Sequence, residues 1–105
     1  MTESEFLALS VATIDRIEES FEATGIDLDL ERKGEGLLEV EFDNHSKIIV
    51  NSQAPMRQIW VAAKSGGFHF AQTAGAWLDT RTGEPLMTLL SRLVSEQIGA
   101  RVALD

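Results

Sequence analysis

The period of the apolar residues changes twice along this chain. It is close to 3.6 near the start, 2 through the middle and 3.6 again near the end. Thr2-Glu3-Ser4-Glu5 fits a capping box, with Thr2 as N-cap and Glu5 three residues on. Leu7, Ile14, Ile17 and Phe21 then form a helical stripe, with Phe6 beside it and Ser10 interrupting it. Thr24-Gly25 ends that helix, because glycine suits the left-handed residue after a last turn.

The middle alternates. Residues 26–31 are strictly apolar and acidic in turn, and Gly34 and Gly36 flank a turn at Glu35. Leu38, Val40 and Phe42 oppose Glu39, Glu41 and Asp43, the pattern of a strand with one wet face. Asn44-His45-Ser46 connects to a return strand from Lys47 to Asn51, with Ile48 and Val50 inward. Ser65-Gly66-Gly67 reads as a turn, and short strands are expected over 68–71 and 76–79. Pro85 is expected at the first position of a last helix, whose stripe is Leu86, Leu89, Leu90, Leu93 and Val94 and whose stop is Gly99. Helix, strands, helix with one apolar sheet face gives an α+β, two-layer sandwich. Both helices pack on one face of an antiparallel meander. A single domain over residues 1–105 is expected. The six residues after Gly99 should cover little of the groove between the helices, which implies modest stability.

Composition narrows function by exclusion. With no cysteine there is no disulfide, no thiolate metal site and no thiol nucleophile. No apolar run approaches the about 18 residues of a membrane span, and the acidic start lacks the features of a secretory or transit signal. The reducing cytoplasm is the expected compartment. The net charge is −8, unevenly spread: residues 1–45 hold 13 acids against 3 Lys or Arg, residues 46–105 hold 4 against 6. Such a field attracts cations or a basic partner and repels nucleic acid. His45 and His69 have no second imidazole at ligand spacing, and no phosphate loop or Ser-His-Asp pattern is present. Trp77, beside Gly75 and Ala76, is expected in the core.

Asp15, Glu18, Glu19 and Glu22 fall at i, i+3, i+4 and i+7, so four carboxylates share one side of the first helix. Asp27, Asp29 and Glu31 line one face of the strand that follows. Two readings stand. The acids are a solvated face and a charged sheet edge that resists pairing, or they are a surface for hard cations such as iron, manganese, calcium or magnesium. No preformed cage is legible, so any binding would be exposed and weak.

Residues 51–61 read Asn-Ser-Gln-Ala-Pro-Met-Arg-Gln-Ile-Trp-Val. A turn at Pro55 separates two strand segments. Asn51, Gln53, Gln58 and Trp60 are expected on the face opposite Ile59 and Val61. An indole among amides on a wet face fits a docking surface, unless a neighbouring side chain covers it. The run Asn51-x-Gln53-x-Pro55-x-x-Gln58-Ile59-Trp60 resembles the signature of the frataxin family. The whole chain is similar to its bacterial, CyaY-type members, including Gly-Gly-Phe-His-Phe at 66–70.

The resemblance implies a frataxin-like fold in which the first helix and first strand form an acidic ridge. It implies that Asp15, Glu18, Glu19, Glu22, Asp27, Asp29 and Glu31 bind ferrous or ferric iron weakly and meet a cysteine desulfurase. It further implies a regulator of iron–sulfur cluster assembly that docks the desulfurase and the scaffold protein rather than an enzyme. Partner binding falls to Asn51, Gln53, Gln58 and Trp60. A monomer is expected, with metal-induced oligomers as the other state. Two other readings are an acidic interaction module with no physiological metal and a ferroxidase. The last needs ligands converging from several elements, where the helix offers only adjacent carboxylates.

Overall fold

Leucine, valine and isoleucine at alternate positions of successive strands leave one sheet face apolar, and that face dictates where the helices go. The computed structural model describes residues 1–105. Its elements are α1 (Glu3–Ala23), β1 (Leu28–Lys33), β2 (Leu37–Phe42), β3 (Lys47–Gln53), β4 (Gln58–Ala63), β5 (Gly66–Thr73), β6 (Ala76–Asp79) and α2 (Leu86–Ile98). The six strands form one antiparallel sheet in sequence order, so β1 and β6 are its edges. The sandwich expected from the change of period is the observed architecture. No helix is long and apolar enough to cross a membrane.

Leu38, Val40, Ile48, Val50, Ile59, Val61 and Phe70 meet the stripes of the two helices in one buried cluster. In α2 the stripe is as expected, with Leu86, Leu89, Leu90, Leu93 and Val94 all buried. In α1 its phase differs. Phe6, Ser10, Ile14, Ile17 and Phe21 face the sheet, while Leu7 is 44% exposed. Ser10 is tolerated inside because its hydroxyl donates to the Leu7 carbonyl at 3.2 Å. The capping box forms in full, with Thr2 and Glu5 each satisfying the other's backbone N–H. Trp77 is core, as expected: its ring meets Phe6 edge to face and its N–H donates to the Thr13 hydroxyl at 2.9 Å.

Three local expectations are corrected. Pro85 is the N-cap of α2, extended at ψ 146°, and helical backbone starts at Leu86. Gly66 and Gly67 already pair with Ala63 and Ala62, so β5 begins before Phe68. The tail does reach the groove: Leu104 is 7% exposed and joins the core cluster. It is held by hydrogen bonds rather than by apolar area alone. The Ser91 hydroxyl accepts from the Leu104 N–H at 2.8 Å, the Ser95 hydroxyl accepts from the Val102 N–H at 2.9 Å, and the Ser20 hydroxyl donates to the Asp105 carbonyl at 2.7 Å.

Candidate functional site

Two surfaces carry the residues singled out by sequence, one around the β1 edge and one at the middle of the open sheet face. The first is the acidic side of α1 with the neighbouring edge strand. Asp15, Glu18, Glu19 and Glu22 do share one side of α1, but β1 does not add its acids to them. Leu28 and Leu30 pack against the core, so Asp29 and Glu31 project from the other side of the sheet. Asp27 lies exposed in the connection from α1 to β1. The seven carboxylates therefore wrap around a sheet edge in two groups rather than lining one ridge. Nowhere are three or more His, Cys, Asp or Glu side chains disposed to hold one metal ion.

Some of these carboxylates are also occupied. Arg32, the third inward position of β1, reaches α1 with one nitrogen, Nη1, 2.9 Å from Asp15 Oδ1 and 2.8 Å from Glu18 Oε1. Its Nη2 donates to the Glu35 carbonyl at 2.7 Å. Burial opposes the charge on Arg32, yet the hydrogen bonds to Asp15 and Glu18 outweigh it and hold the guanidinium pKa above the ordinary arginine value. Glu31 has Lys33 at 3.5 Å. Glu19, Glu22, Asp27 and Asp29 make no ion pair within the chain. Across the open face Asp29 stands opposite Glu41 and Glu31 opposite Glu39, two like-charged cross-strand pairs that repel. His45 Nδ1 lies 3.3 Å from Glu41, and Lys47 lies 3.9 Å from Glu39.

The second surface is the middle of the sheet face turned away from the helices. A turn over 54–57, with Arg57 at φ 53° donating its N–H to the Ala54 carbonyl, brings β4 back beside β3. Asn51 then pairs with Trp60 and Gln53 with Gln58, so the four residues share one face as the alternation requires. Trp60 is half-buried, and its N–H donates to Gln58 Oε1 at 2.7 Å. His69, directly opposite on β5, stacks on the indole with ring centroids 4.3 Å apart and planes 11° from parallel. His69 is the residue that the sequence reading left out of this face. The signal was present in Phe68-His69-Phe70, whose alternation sends histidine away from two inward phenylalanines.

Each surface has a distinct chemistry. The edge offers exposed carboxylate oxygens, which attract hard cations through charge and hold them loosely. The face offers a flat aromatic pair ringed by amides, a composition suited to protein contact.

Both surfaces sit in a chain with full-length relatives. A family model described as a frataxin-like domain matches residues 1–100. The iron-sulfur cluster assembly protein CyaY of Janthinobacterium sp. (strain Marseille) is 57% identical over 109 residues, spanning 100% of this chain and 97% of that one. The protein of the same name from Herminiimonas arsenicoxydans is 54% identical across 99% of this chain and 96% of its own. Among solved structures, frataxin from Psychromonas ingrahamii superposes with a TM-score of 0.91 at 37% identity, covering 100% of this chain and 99% of that one. Trimeric yeast frataxin complexed with ferrous iron gives a TM-score of 0.66 at 28% identity over 94% of this chain and 88% of that one. In sequence and in fold, this chain belongs to the frataxin family.

Proposed function

We propose that this protein serves iron–sulfur cluster assembly as an iron-binding regulator that docks its partners and catalyses no step of its own. Support comes from full-length relatives named for that process and from a yeast relative complexed with ferrous iron. The observation that carries the reading is that the two surfaces are distinct: the acids gather on α1 and around the β1 edge, and the indole lies on β4, three strands away. The acidic edge, with Glu19, Glu22, Asp27 and Asp29 unneutralised, receives the cation and a basic surface of the cysteine desulfurase. The face of Asn51, Gln53, Gln58 and Trp60, joined by His69, receives the scaffold on which clusters are built. Asp15, Glu18 and Glu31 complete the acidic field from positions already paired with cations of the chain. The setting is the cytoplasm, and the working form is a monomer.

A second reading has an observation in its favour. Arg32 neutralises part of the helix face, and no cage of ligands exists. An acidic module that docks a basic partner with no physiological metal needs neither. Binding of the desulfurase, measured anaerobically with and without ferrous iron, separates the two. Iron-dependent binding that is lost in the Glu19→Gln/Glu22→Gln protein is the expected result. Identical binding with and without iron would select the metal-free module.

A further inference from the structure

Of the basic side chains at the acidic edge, one turns inward under the helix. Position 32 is the third inward position of β1, after Leu28 and Leu30, and both of those pack into the core. At the edge of the sheet an inward side chain emerges beneath α1, and the residue there is arginine. Its guanidinium is not a loose surface charge. It is tied to Asp15 and Glu18 by one nitrogen and to the Glu35 carbonyl of the β1–β2 turn by another. The Arg32 side chain is 20% exposed, and its Nε is buried with no hydrogen-bond partner. Leaving a donor unmade is unfavourable, so the other contacts must hold the group in this position.

Asp15 and Glu18 stand at i and i+3 and would repel one another without an intervening charge. We infer that Arg32 is a built-in counter-cation that withholds Asp15 and Glu18 from metal ions and confines cation binding on the helix to Glu19 and Glu22. This rests on the cation-binding reading of the edge. A dication approaching Asp15 or Glu18 must displace a charge-assisted hydrogen bond from Arg32 and meets a like charge behind it. At Glu19 and Glu22 no ion pair has to be broken: Arg16 lines the same surface pocket as Glu19 but donates to the Asp105 main-chain oxygen. Because the guanidinium comes from β1, the cation capacity of the helix is set by a residue outside it.

Manganese, whose unpaired electrons broaden the resonances of the carboxylates it touches, provides the probe. Side-chain carboxylates of the full chain are followed by NMR during manganese titration of wild type, Arg32→Gln and Arg32→Lys, with circular dichroism melting as the fold control. In wild type, Glu19 and Glu22 should broaden at lower manganese than Asp15 and Glu18. In Arg32→Gln all four should broaden together, with affinity at this face about five-fold higher, the scale of losing two partly exposed ion pairs. Arg32→Lys, which keeps the charge, should stay near wild type.

Wild-type broadening of Asp15 and Glu18 ahead of Glu19 and Glu22 would overturn the inference even if Arg32→Gln failed to fold. So would an Arg32→Gln titration that matched wild type. In either case the cation surface itself would survive. An absence of broadening in every protein would remove that surface, and the role of Arg32 with it.

Discussion

The two tryptophans show how far burial separates residues of the same type. Trp77 is 8% exposed, set edge to face against Phe6 and hydrogen-bonded to Thr13. Trp60 sits on the opposite face, stacked on His69. Truncating a buried tryptophan costs about 3–5 kcal/mol, whereas losing a half-buried aromatic stack costs about 1 kcal/mol. Urea unfolding of Trp77→Ala and Trp60→Ala should show that ordering, and equal losses would refute the assigned faces. Glu5 supplies a pH dependence at the same scale. Its carboxylate accepts from the Thr2 backbone N–H, and this bond first, with the Thr2 hydroxyl beside it, holds its pKa below the ordinary value of 4.5. The resulting stabilisation is complete above the unfolded value and disappears as pH falls through the lower folded one. Acid melting curves of wild type and Glu5→Gln should therefore converge as pH drops below about 4. A constant gap would mean that the charge does not contribute.

Among elements, α1 and β1 carry the electrostatic argument. Exchanging Glu19 and Glu22 for glutamine removes like-charge neighbours worth a few tenths of a kcal/mol each, about 0.2–0.5 per pair. Thermal stability should hold or rise slightly while cobalt binding weakens. Adding Glu18→Gln should lower the melting temperature, because Arg32 then loses a partner while still partly buried. A triple variant as stable as the double would contradict that pairing. The helices, strands and open face were legible because apolar period reports them directly. The phase of α1 was not: Phe6 and Leu7 are both apolar, and only packing shows Ser10 turned inward over its own hydrogen bond. The reach of Arg32 to α1 was equally hidden. It depends on an edge strand lying beneath a helix 14 and 17 positions away in sequence. The tail docks through serine hydroxyls, which hydropathy does not register.

At the scale of the molecule, the charge gathers around α1 and the β1 edge and the aromatic pair sits at the middle of the open face, and the central claim is that this division is functional. Because the cation surface works through charge rather than a shaped cage, calcium, manganese and cobalt should compete with ferrous iron at comparable concentrations. Added salt should weaken all of them; tight, salt-insensitive zinc binding would contradict an all-carboxylate edge. The claim itself rests on Trp60, which belongs to the partner face and not to the cation edge. The decisive measurement is binding of Trp60→Ala to the cluster scaffold and of the same protein to cobalt, with melting recorded alongside. The account predicts near-normal melting, unchanged cobalt affinity and scaffold binding weakened by about ten-fold or more, as for a central aromatic contact. A Trp60→Ala protein that melts normally and binds the scaffold as tightly as wild type would contradict it.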